Sequence, residues 1–304
     1  MNLLLYAVTV LVWGTTWFAI ALQLGPVPVL TSIFYRFALA AMLLLPVLAA
    51  TRRLAPMRRR DHAFVLLQGL CLFSLNFVCF YNATRFIPSG LVSVVFSLAT
   101  LYNAVAARLV FREPIAPRTL LAAALGIGGL VLLFAPAIEG GTYGTDAPKG
   151  LALAALGTLF FSLGNMVSRR NSAAGVPPLT ANAWGMTWGS LVLLALIAVT
   201  GTPLVAPPDG RYLAALAWLS IAGSVVGFTT YLMLVARIGS GRAAYATVMF
   251  PVVALVLSAL YEGYVWDLRT FVGLGLTMLG NLVIFVGLPR LRRSARAAVP
   301  PAPR

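Results

Sequence analysis

The sequence predicts an all-α integral membrane protein with ten transmembrane helices, built as two inverted five-helix repeats around a central cavity. Of the 304 residues, 61% are hydrophobic and only 10% are charged, and the mean hydropathy is +0.94. A soluble domain has about a quarter of its residues charged. Ten apolar runs are long enough to cross about 30 Å of hydrocarbon, and two glutamates stand at matching joints about half a chain apart.

The apolar runs are separated by short segments that carry Pro, Gly and charged residues, which end helices. The predicted spans are 3–23, 29–50, 63–85, 89–111, 118–137, 150–168, 179–200, 212–236, 241–261 and 269–288. The first run has no basic segment before it and no small-residue cleavage site, so we expect it to be retained as a helix. The predicted domains are a first repeat at 1–137, a periplasmic linker at 138–149, an inverted second repeat at 150–289 and a disordered, basic cytoplasmic tail at 290–304.

The distribution of basic residues predicts the orientation of the chain. Of the 22 Lys and Arg residues, 17 lie in the loops after even-numbered helices and in the tail. The loops after odd-numbered helices hold only Arg85, Lys149, Arg211 and Arg269, while Arg36 lies inside a helix. Cytoplasmic loops are enriched in Lys and Arg, so both termini are predicted to be cytoplasmic in a bacterial inner membrane. The net charge of +15 is spread over loops, which does not fit the single basic face of a nucleic-acid binder.

The two glutamates indicate a duplication. Glu113 follows the fourth apolar run in LVFREPIAPR, and Glu262 follows the ninth in ALYEGYVWDLR. Sliding the first half onto the second also matches Gly90 with Gly239, Arg118 with Arg269, Gly129 with Gly280 and Phe134 with Phe285. Because each repeat has five helices, an odd number, the two repeats must be inverted. Inverted repeats that meet at the centre of the membrane are the architecture of many transporters.

Three motifs give the chain a family likeness. They are LLLYAVTVLVWGTTW in the first helix, FYRFALAA around Arg36 in the second, and a spaced set near the end. The spaced set is Pro251, Ala254, Glu262, Arg269, Gly273 and Gly280. Together they resemble the EamA branch of the drug/metabolite transporter superfamily, and within it the YddG-type amino-acid exporters. The resemblance implies two five-helix repeats, export of amino acids, other metabolites or drugs, and a cavity formed by helices one, three, four, six, eight and nine.

The chain departs from the family pattern at two positions. The fourth helix reads LATLYNAV near Tyr102, where the family has a proline, which questions the bend of that helix. Ala122 stands where the first repeat would have a glycine.

The residue inventory argues against an enzyme. All seven Asp and Glu residues fall in predicted loops or at helix ends, so a buried acid–base or nucleophilic set is missing. Cys71 and Cys79 lie in one helix, and the single histidine, His62, has no cluster around it that would hold a metal. We therefore predict no cofactor and no metal. Proton-driven carriers hold an ionisable residue within the membrane, and Arg36 does not titrate at usable pH. The sequence therefore favours facilitative transport down the substrate gradient, or weak coupling at the helix ends.

Helical projection predicts which side chains face a cavity. The candidate substrate-binding residues mix aromatic rings with amides and hydroxyls, as a pocket for small, partly apolar solutes does. They are Thr16, Trp17, Asn76, Tyr81, Asn82, Thr100, Asn103, Phe161, Asn165 and Tyr231. The alternative is that small and polar residues at this spacing serve helix packing.

Three charged residues have two interpretations each. Arg36 either binds a carboxylate or forms a gate, or it extends to the outer surface or pairs with an acid such as Glu262. Glu113 and Glu262 are either gates on opposite sides, or they accept hydrogen bonds from nearby loops or pair with Arg118 and Arg269.

The predicted function is export of small metabolites, above all neutral and aromatic amino acids, by alternating access. Two alternatives stay open: export of cationic drugs by the same fold, and a membrane scaffold or receptor that transports nothing. The expected partners are a small-molecule substrate and membrane lipid, with no nucleic acid, and the expected state is a monomer.

Overall fold

The computed structural model describes residues 2–138, 145–231 and 246–285, and these residues form ten helices. In chain order they are α1 Asn2–Ala21, α2 Val29–Ala50, α3 Arg59–Ala83, α4 Ser89–Phe111, α5 Pro117–Ile138, α6 Ala147–Ala173, α7 Pro178–Thr200, α8 Gly210–Tyr231, α9 Ala246–Tyr261 and α10 Leu268–Phe285.

The helices have the dimensions of membrane spans. Helices α1 to α8 are long and apolar enough to cross a membrane, and α9 and α10 contain shorter apolar segments, Val248–Tyr261 and Leu268–Val283. Within the described residues there is no β-strand. The predicted ten-helix membrane fold is confirmed. The predicted tail at 290–304 and most of the linker at 138–149 lie outside the described residues.

Helix boundaries follow local signals in the sequence. Pro28, Pro88 and Pro177 directly precede α2, α4 and α7, where a missing backbone N–H costs nothing. Asp209 caps α8 by accepting a hydrogen bond from the Tyr212 backbone N–H at 2.7 Å. Gly201 ends α7 with a positive φ of 64°, a conformation that glycine adopts without strain.

Two helices extend by four or five residues past a predicted end. Helix α3 begins at Arg59 instead of residue 63, and α6 continues to Ala173 instead of residue 168. Both extensions carry polar residues that bond each other: Arg170 Nη1 of α6 lies 3.2 Å from Asp61 Oδ1 of α3. Hydropathy marks only the part of a helix that is in hydrocarbon, so it missed these polar turns.

Equivalent helices of the two repeats share a local irregularity. Helix α3 contains a π-helical segment at Cys71–Leu75, and α8 contains one at Trp218–Val226. In each, a serine hydroxyl donates to the carbonyl five residues earlier, Ser74 to Gly69 at 3.3 Å and Ser224 to Leu219 at 2.9 Å. Such π segments are frequent at functional sites. Helix α4 is also interrupted, at Leu98, without a proline.

Helix contacts repeat about a pseudo-twofold axis. Helices α5 and α10 pack together, as do α2 with α7 and α4 with α9. The contact of α1 with α9 is matched by that of α6 with α4, and the contact of α3 with α7 by that of α8 with α2. A side chain on Gly129 of α5 would clash with Gly273 of α10, and one on Gly280 of α10 would lie 2.8 Å from the carbonyl of Ala122. This reciprocity fits the predicted match of Gly129 with Gly280 and of Ala122 with a second-repeat glycine.

Candidate functional site

A small chamber of about 80 Å³ lies where the two repeats meet. Aromatic rings dominate its wall: Trp17 packs 5.3 Å from Phe80, 5.4 Å from Phe96 and 6.2 Å from Phe250, measured between ring centres. The lining residues are Trp13, Thr16, Trp17, Ile20, Arg36, Leu72, Asn76, Phe77, Phe80, Phe96, Phe161, Gly223, Phe228 and Phe250. We call this cavity the inner chamber.

A larger cavity of about 520 Å³ adjoins the inner chamber, and we call it the vestibule. The two share five lining residues: Trp13, Leu72, Phe96, Phe161 and Phe228. The vestibule adds Ala99, Thr100, Asn103, Ala104, Ala107, Asn165, Met166, Ser168, Arg169, Pro178, Asn182 and Tyr231. Arg169 and Pro178 are exposed, so the vestibule opens between the end of α4, the end of α6 and the start of α7.

Polar groups on the vestibule wall bond one another. Asn165 Nδ2 donates to Asn103 Oδ1 at 3.2 Å, joining α6 to α4. Thr100 donates to Asn281 Oδ1 of α10 at 2.5 Å. Tyr231 packs on Trp13 with ring centres 5.1 Å apart. The vestibule therefore combines amides and hydroxyls with aromatic surface, which suits a solute with both polar and apolar parts.

Arg36 reaches the inner chamber from α2. Its side chain is 3% exposed, and its Nε donates to Ser224 Oγ of α8 at 3.4 Å. The guanidinium carbon lies 4.4 Å from the centre of the Phe77 ring and 5.0 Å from that of Phe37. The arginine neither extends to the surface nor forms a salt bridge with Glu262, so both structural interpretations of Arg36 made from the sequence are wrong.

The end of the cavity opposite the vestibule mouth is closed by side-chain contacts. Tyr81 donates to Gln23 Oε1 at 2.7 Å, and Tyr212 donates to Ser32 Oγ at 2.8 Å. Beside them, Glu262 accepts hydrogen bonds from the backbone N–H and the hydroxyl of Ser89 at 3.1 and 2.9 Å. The Tyr212–Ser32 and Glu262–Ser89 bonds join the two repeats at this end, whereas Tyr81 and Gln23 both belong to the first repeat.

Glu113 lies at the other end, near the vestibule mouth. Its carboxylate accepts two hydrogen bonds from Arg169, Nη2 to Oε1 at 2.5 Å and Nη1 to Oε2 at 3.1 Å. These bonds hold the pKa of the Glu113 carboxyl below its ordinary value. Its partner is thus Arg169 and not Arg118, the partner expected from the sequence. Arg169 also borders the vestibule, so the ion pair forms part of its rim.

Eight of the ten predicted substrate residues line a cavity. Thr16, Trp17 and Asn76 line the inner chamber, Phe161 lines both cavities, and Thr100, Asn103, Asn165 and Tyr231 line the vestibule. The structure does not bring Tyr81 and Asn82 to either cavity. Tyr81 is fully buried at the closed end, and Asn82 Nδ2 donates to the Val78 carbonyl of its own helix at 2.8 Å.

Sequence reasoning missed several cavity residues. Phe80 and Phe250 are apolar residues in apolar helices, and no pattern separates them from residues that face lipid. Asn182 and Arg36 also bring α7 and α2 to the cavities, beyond the six helices that the resemblance implied. The polar residue Asn182 near the start of α7 was a signal that could have been found, because an amide within a membrane helix must face protein or water.

The uncompensated charge on the cavity walls is positive. Arg36 and Arg169 line them, Arg169 is paired with Glu113 at the rim, and among the described lining residues there is no Asp or Glu. Arginine keeps its charge at all usable pH values. The cavity is therefore suited to solutes that carry a negative group or are zwitterionic, and poorly suited to simple cations.

Comparison with known proteins agrees with this architecture. The chain is 26% identical over 280 residues to the inner membrane transporter YedA of Escherichia coli (strain K12), covering 91% of this chain and 88% of YedA. It is 28% identical over 264 residues to the protein PecM of Dickeya dadantii, covering 82% and 80%. It is 24% identical over 299 residues to a "Probable amino-acid metabolite efflux pump" of Salmonella typhimurium (strain LT2), covering 95% and 96%.

A solved crystal structure has the same fold. It superposes with a TM-score of 0.66 at 19% identity, and the match covers 93% of this chain and 96% of the other. The model of the EamA-like transporter family matches residues 1–135 and 148–286, which is most of the chain. The protein is thus a membrane transporter that belongs to the EamA-like transporter family.

Proposed function

We propose that this transporter exports small neutral amino acids, including aromatic ones, by facilitated alternating access. The observation that carries the proposal is the pair of adjoining cavities between the repeats: a polar vestibule at the open end and, at the closed end, an inner chamber whose aromatic wall includes the buried charge of Arg36. An amino acid likewise combines charged groups with a side chain, so the inner chamber offers partners for both. The amino-acid metabolite efflux named for the Salmonella relative supports the same substrate class.

The open side of the cavity fits the loading step of an exporter, while the substrate gradient sets the net direction of facilitated transport. The vestibule opens at the ends of α4 and α6, which the arginine distribution assigns to the cytoplasm. A substrate of an exporter enters from that side. Rocking of one repeat against the other would break the contacts at the closed end and release the substrate outside. Both repeats belong to one chain, so we expect a monomer to suffice, embedded in membrane lipid.

The described cavity wall offers no carboxyl or imidazole group for proton coupling. Thr16, Asn76, Thr100, Asn103 and Asn165 do not titrate, and the two arginines stay charged. Coupled carriers hold a titratable residue within the membrane. Transport therefore follows the amino-acid gradient. The absence of a carboxylate from the described cavity wall also disfavours the alternative of a cationic-drug exporter.

Uptake by proteoliposomes tests this function. A panel of radiolabelled amino acids is measured with and without imposed pH and voltage gradients. We expect saturable uptake of neutral and aromatic amino acids that needs no gradient and does not occur in protein-free liposomes. A requirement for a proton gradient would overturn the facilitative mechanism, and absence of uptake for the whole panel would overturn the substrate class and revive the drug and scaffold alternatives.

Variants of Trp17 connect the uptake to the inner chamber. Trp17→Ala removes the ring that contacts Phe80, Phe96 and Phe250. We expect it to raise the half-saturation concentration for aromatic amino acids about fivefold, since an aromatic contact of this kind contributes about 1 kcal/mol beyond its buried area. Trp17→Phe keeps an aromatic ring and should stay close to wild type. The control is Trp218→Phe, because Trp218 is 43% exposed and lines neither cavity.

A further inference from the structure

We infer that Arg36 is the anchor for the substrate's carboxylate, and that a free carboxylate is the feature by which this transporter selects its substrates. The inference rests on the proposed function for the identity of the amino acid. It adds the group that is recognised and the residue that recognises it. Four features of the described residues carry it.

The first feature is an incompletely satisfied guanidinium. Arg36 Nη1 is buried and has no hydrogen-bond partner, Nε has only the neutral Ser224 hydroxyl at 3.4 Å, and a further polar neighbour of the guanidinium is the neutral Tyr81 phenol. A guanidinium has five donors, and the planar fork fits a carboxylate with two parallel bonds. Burying a charge without a counter-ion is costly. A bound carboxylate would remove that cost.

The second feature is access. Arg36 lines the inner chamber, and the residue beside it on α8 is a glycine. A Cβ on Gly223 would lie 3.6 Å from Arg36 Nη2 and 2.7 Å from Thr16 Cγ2. A side chain at this position would therefore narrow the chamber next to the guanidinium. Gly223 leaves that space to a ligand.

The third feature is that the arginine is positioned before any ligand arrives. The rings of Phe77 and Phe37 lie 4.4 and 5.0 Å from the guanidinium carbon, and Ser224 holds Nε. Stacking and the Ser224 bond fix the plane of the fork, so less entropy is lost when a carboxylate binds. The Ser224 oxygen is itself fixed by its bond to the Leu219 carbonyl within the π-helical segment of α8.

The fourth feature is that the repeat symmetry is broken here. The α3–α7 contact corresponds to the α8–α2 contact that holds Arg36. In the α3–α7 contact, the helices pack closely, and among the described residues no arginine lies between them. A Cβ on Gly69 would lie 3.0 Å from the Gly189 backbone nitrogen. Ser74, the counterpart of Ser224, donates to the Gly189 carbonyl at 3.0 Å. The fold thus makes this type of contact without an arginine. The charge in the first repeat is available for a ligand.

The remaining surroundings define the rest of the ligand. Trp17, Phe80 and Phe96 form apolar walls next to the guanidinium. The ligand class is therefore an organic carboxylate with an apolar or aromatic body. The ammonium group of an amino acid has no carboxylate to pair with on the described cavity walls, but it can contact the faces of these rings, since cations bind aromatic faces. Amines that lack the carboxylate should bind poorly.

The test compares L-phenylalanine with two ligands that each differ from it in one group. L-phenylalanine and 3-phenylpropanoate carry the carboxylate, and L-phenylalaninamide replaces it with a neutral amide. Each is titrated against the purified protein by thermal shift and competes with labelled phenylalanine in proteoliposomes. For wild type we expect the acids to bind about 10- to 100-fold more tightly than the amide, which is the value of a charge-assisted hydrogen-bond pair.

The variants are Arg36→Gln, Arg36→Met and Arg36→Lys, with Arg85→Gln as the control because Arg85 is exposed and lines neither cavity. We expect Arg36→Gln and Arg36→Met to lose the preference for acid over amide, Arg36→Lys to keep part of it, and Arg85→Gln to keep it fully. The ratio of the two affinities is measured on one preparation. A merely structural arginine would weaken acid and amide alike and leave the ratio unchanged.

The outcomes separate this inference from the proposed function. If phenylalanine is transported but the amide competes equally well, or if Arg36→Gln retains the preference, the carboxylate anchor is overturned and the exporter stands. If no amino acid is transported but 3-phenylpropanoate stabilises wild type and not Arg36→Met, the anchor stands and the amino-acid function falls. If none of the three ligands binds, both are overturned.

Discussion

Glu262, the residue directly after α9, caps the first turn of α4: its carboxylate accepts hydrogen bonds from the Ser89 backbone N–H at 3.1 Å and from the Ser89 hydroxyl at 2.9 Å. Ser258 completes the cluster by donating to the same carboxylate and accepting from the Gly90 backbone N–H at 2.8 Å. A carboxylate at a helix N-terminus satisfies free N–H groups and interacts favourably with the helix dipole. The cluster ties α9 to α4 at the closed end of the cavity.

This cap predicts unequal effects for the two repeat-related glutamates. Glu262→Gln removes the charge from three hydrogen bonds, so we expect it to lower the free energy of unfolding by about 1–3 kcal/mol and to lower the melting temperature in detergent. Glu113→Gln is the matched control, because Glu113 makes its bonds at the exposed rim and should change the melting temperature much less. Equal melting temperatures for the two variants would contradict the capping role of Glu262.

The ion pair of Glu113 with Arg169 predicts the direction in which the stability of the protein changes with pH. Hydrogen bonds from Arg169 lower the pKa of the Glu113 carboxyl in the folded protein. The ionised carboxylate therefore stabilises the fold at pH values above the pKa of a glutamate in the unfolded chain. This stabilisation is lost as the pH falls through the lower pKa of Glu113 in the folded protein. The difference in melting temperature between wild type and Glu113→Gln, measured from pH 7 down to pH 3, should be small and constant at neutral pH and vanish in acid. A difference that grows as the pH falls would refute the assignment.

The contact between α5 and α10 predicts opposite outcomes at neighbouring glycines. A Cβ at Gly129 would clash with the Gly273 carbonyl and Thr277 of α10, whereas a Cβ at Gly128 meets no atom within 4 Å. We expect Gly129→Ala to destabilise by about 1–3 kcal/mol through overpacking and to lower the yield of folded protein. Gly128→Ala should match or slightly exceed wild type, since alanine favours the helix.

The second repeat supplies an independent replicate of this experiment. A Cβ at Gly280 would lie 2.8 Å from the Ala122 carbonyl, while Gly275 has nothing within 4 Å. Gly280→Ala should therefore behave as Gly129→Ala does, and Gly275→Ala as Gly128→Ala does. Melting temperatures and size-exclusion profiles in detergent check all four variants. The pseudo-twofold packing would be refuted if one interface glycine tolerated alanine and the other did not.

The sequence predicted the fold well because the bilayer imposes simple rules. Length and hydropathy determine a membrane span, so all ten helices were predicted, and proline and glycine marked most of their ends. The interruption of α4 at Leu98 and the π-helical segments of α3 and α8 have no such marker. They depend on contacts between helices, such as the bond of Ser74 to the Gly189 carbonyl of α7.

The candidate site was predicted in part for a similar reason. Polar residues such as Asn103 and Asn165 stood out because an amide is costly in lipid. Aromatic residues did not, because Phe250 in the inner chamber and Phe271, which is 60% exposed, sit in equally apolar helices. Tyr81 was misplaced because its hydroxyl is buried behind the chamber wall, where it donates to Gln23 and neighbours Arg36. The partner of Glu113 was missed because Arg169 belongs to a turn of α6 beyond the apolar run.

A buried polar network connects the vestibule to the ion pair of Arg170 with Asp61 and carries the last prediction. Gln68 of α3 is fully buried; its Nε2 donates to Asn182 Oδ1 of α7 at 3.2 Å, and its Oε1 accepts from Asn171 Nδ2 of α6 at 2.9 Å. Asn171 in turn accepts from Arg170 at 3.1 Å. The network joins three helices, and each of its members needs the next one to stay satisfied.

Gln68→Met keeps the size of the side chain and removes both bonds, so it leaves Asn171 and Asn182 without this partner. We expect a loss of about 1–3 kcal/mol in the free energy of unfolding, the cost of unsatisfied buried groups, measured by unfolding in detergent.

Asn182 lines the vestibule, where water can replace the lost bond, whereas Asn171 is 0% exposed. Asn171→Leu should therefore cost more than Asn182→Leu. The double variant Gln68→Met/Asn171→Leu should cost less than the sum of the two single changes, because the second change removes a group that the first left unpaired; additive effects would mean that the two side chains do not interact.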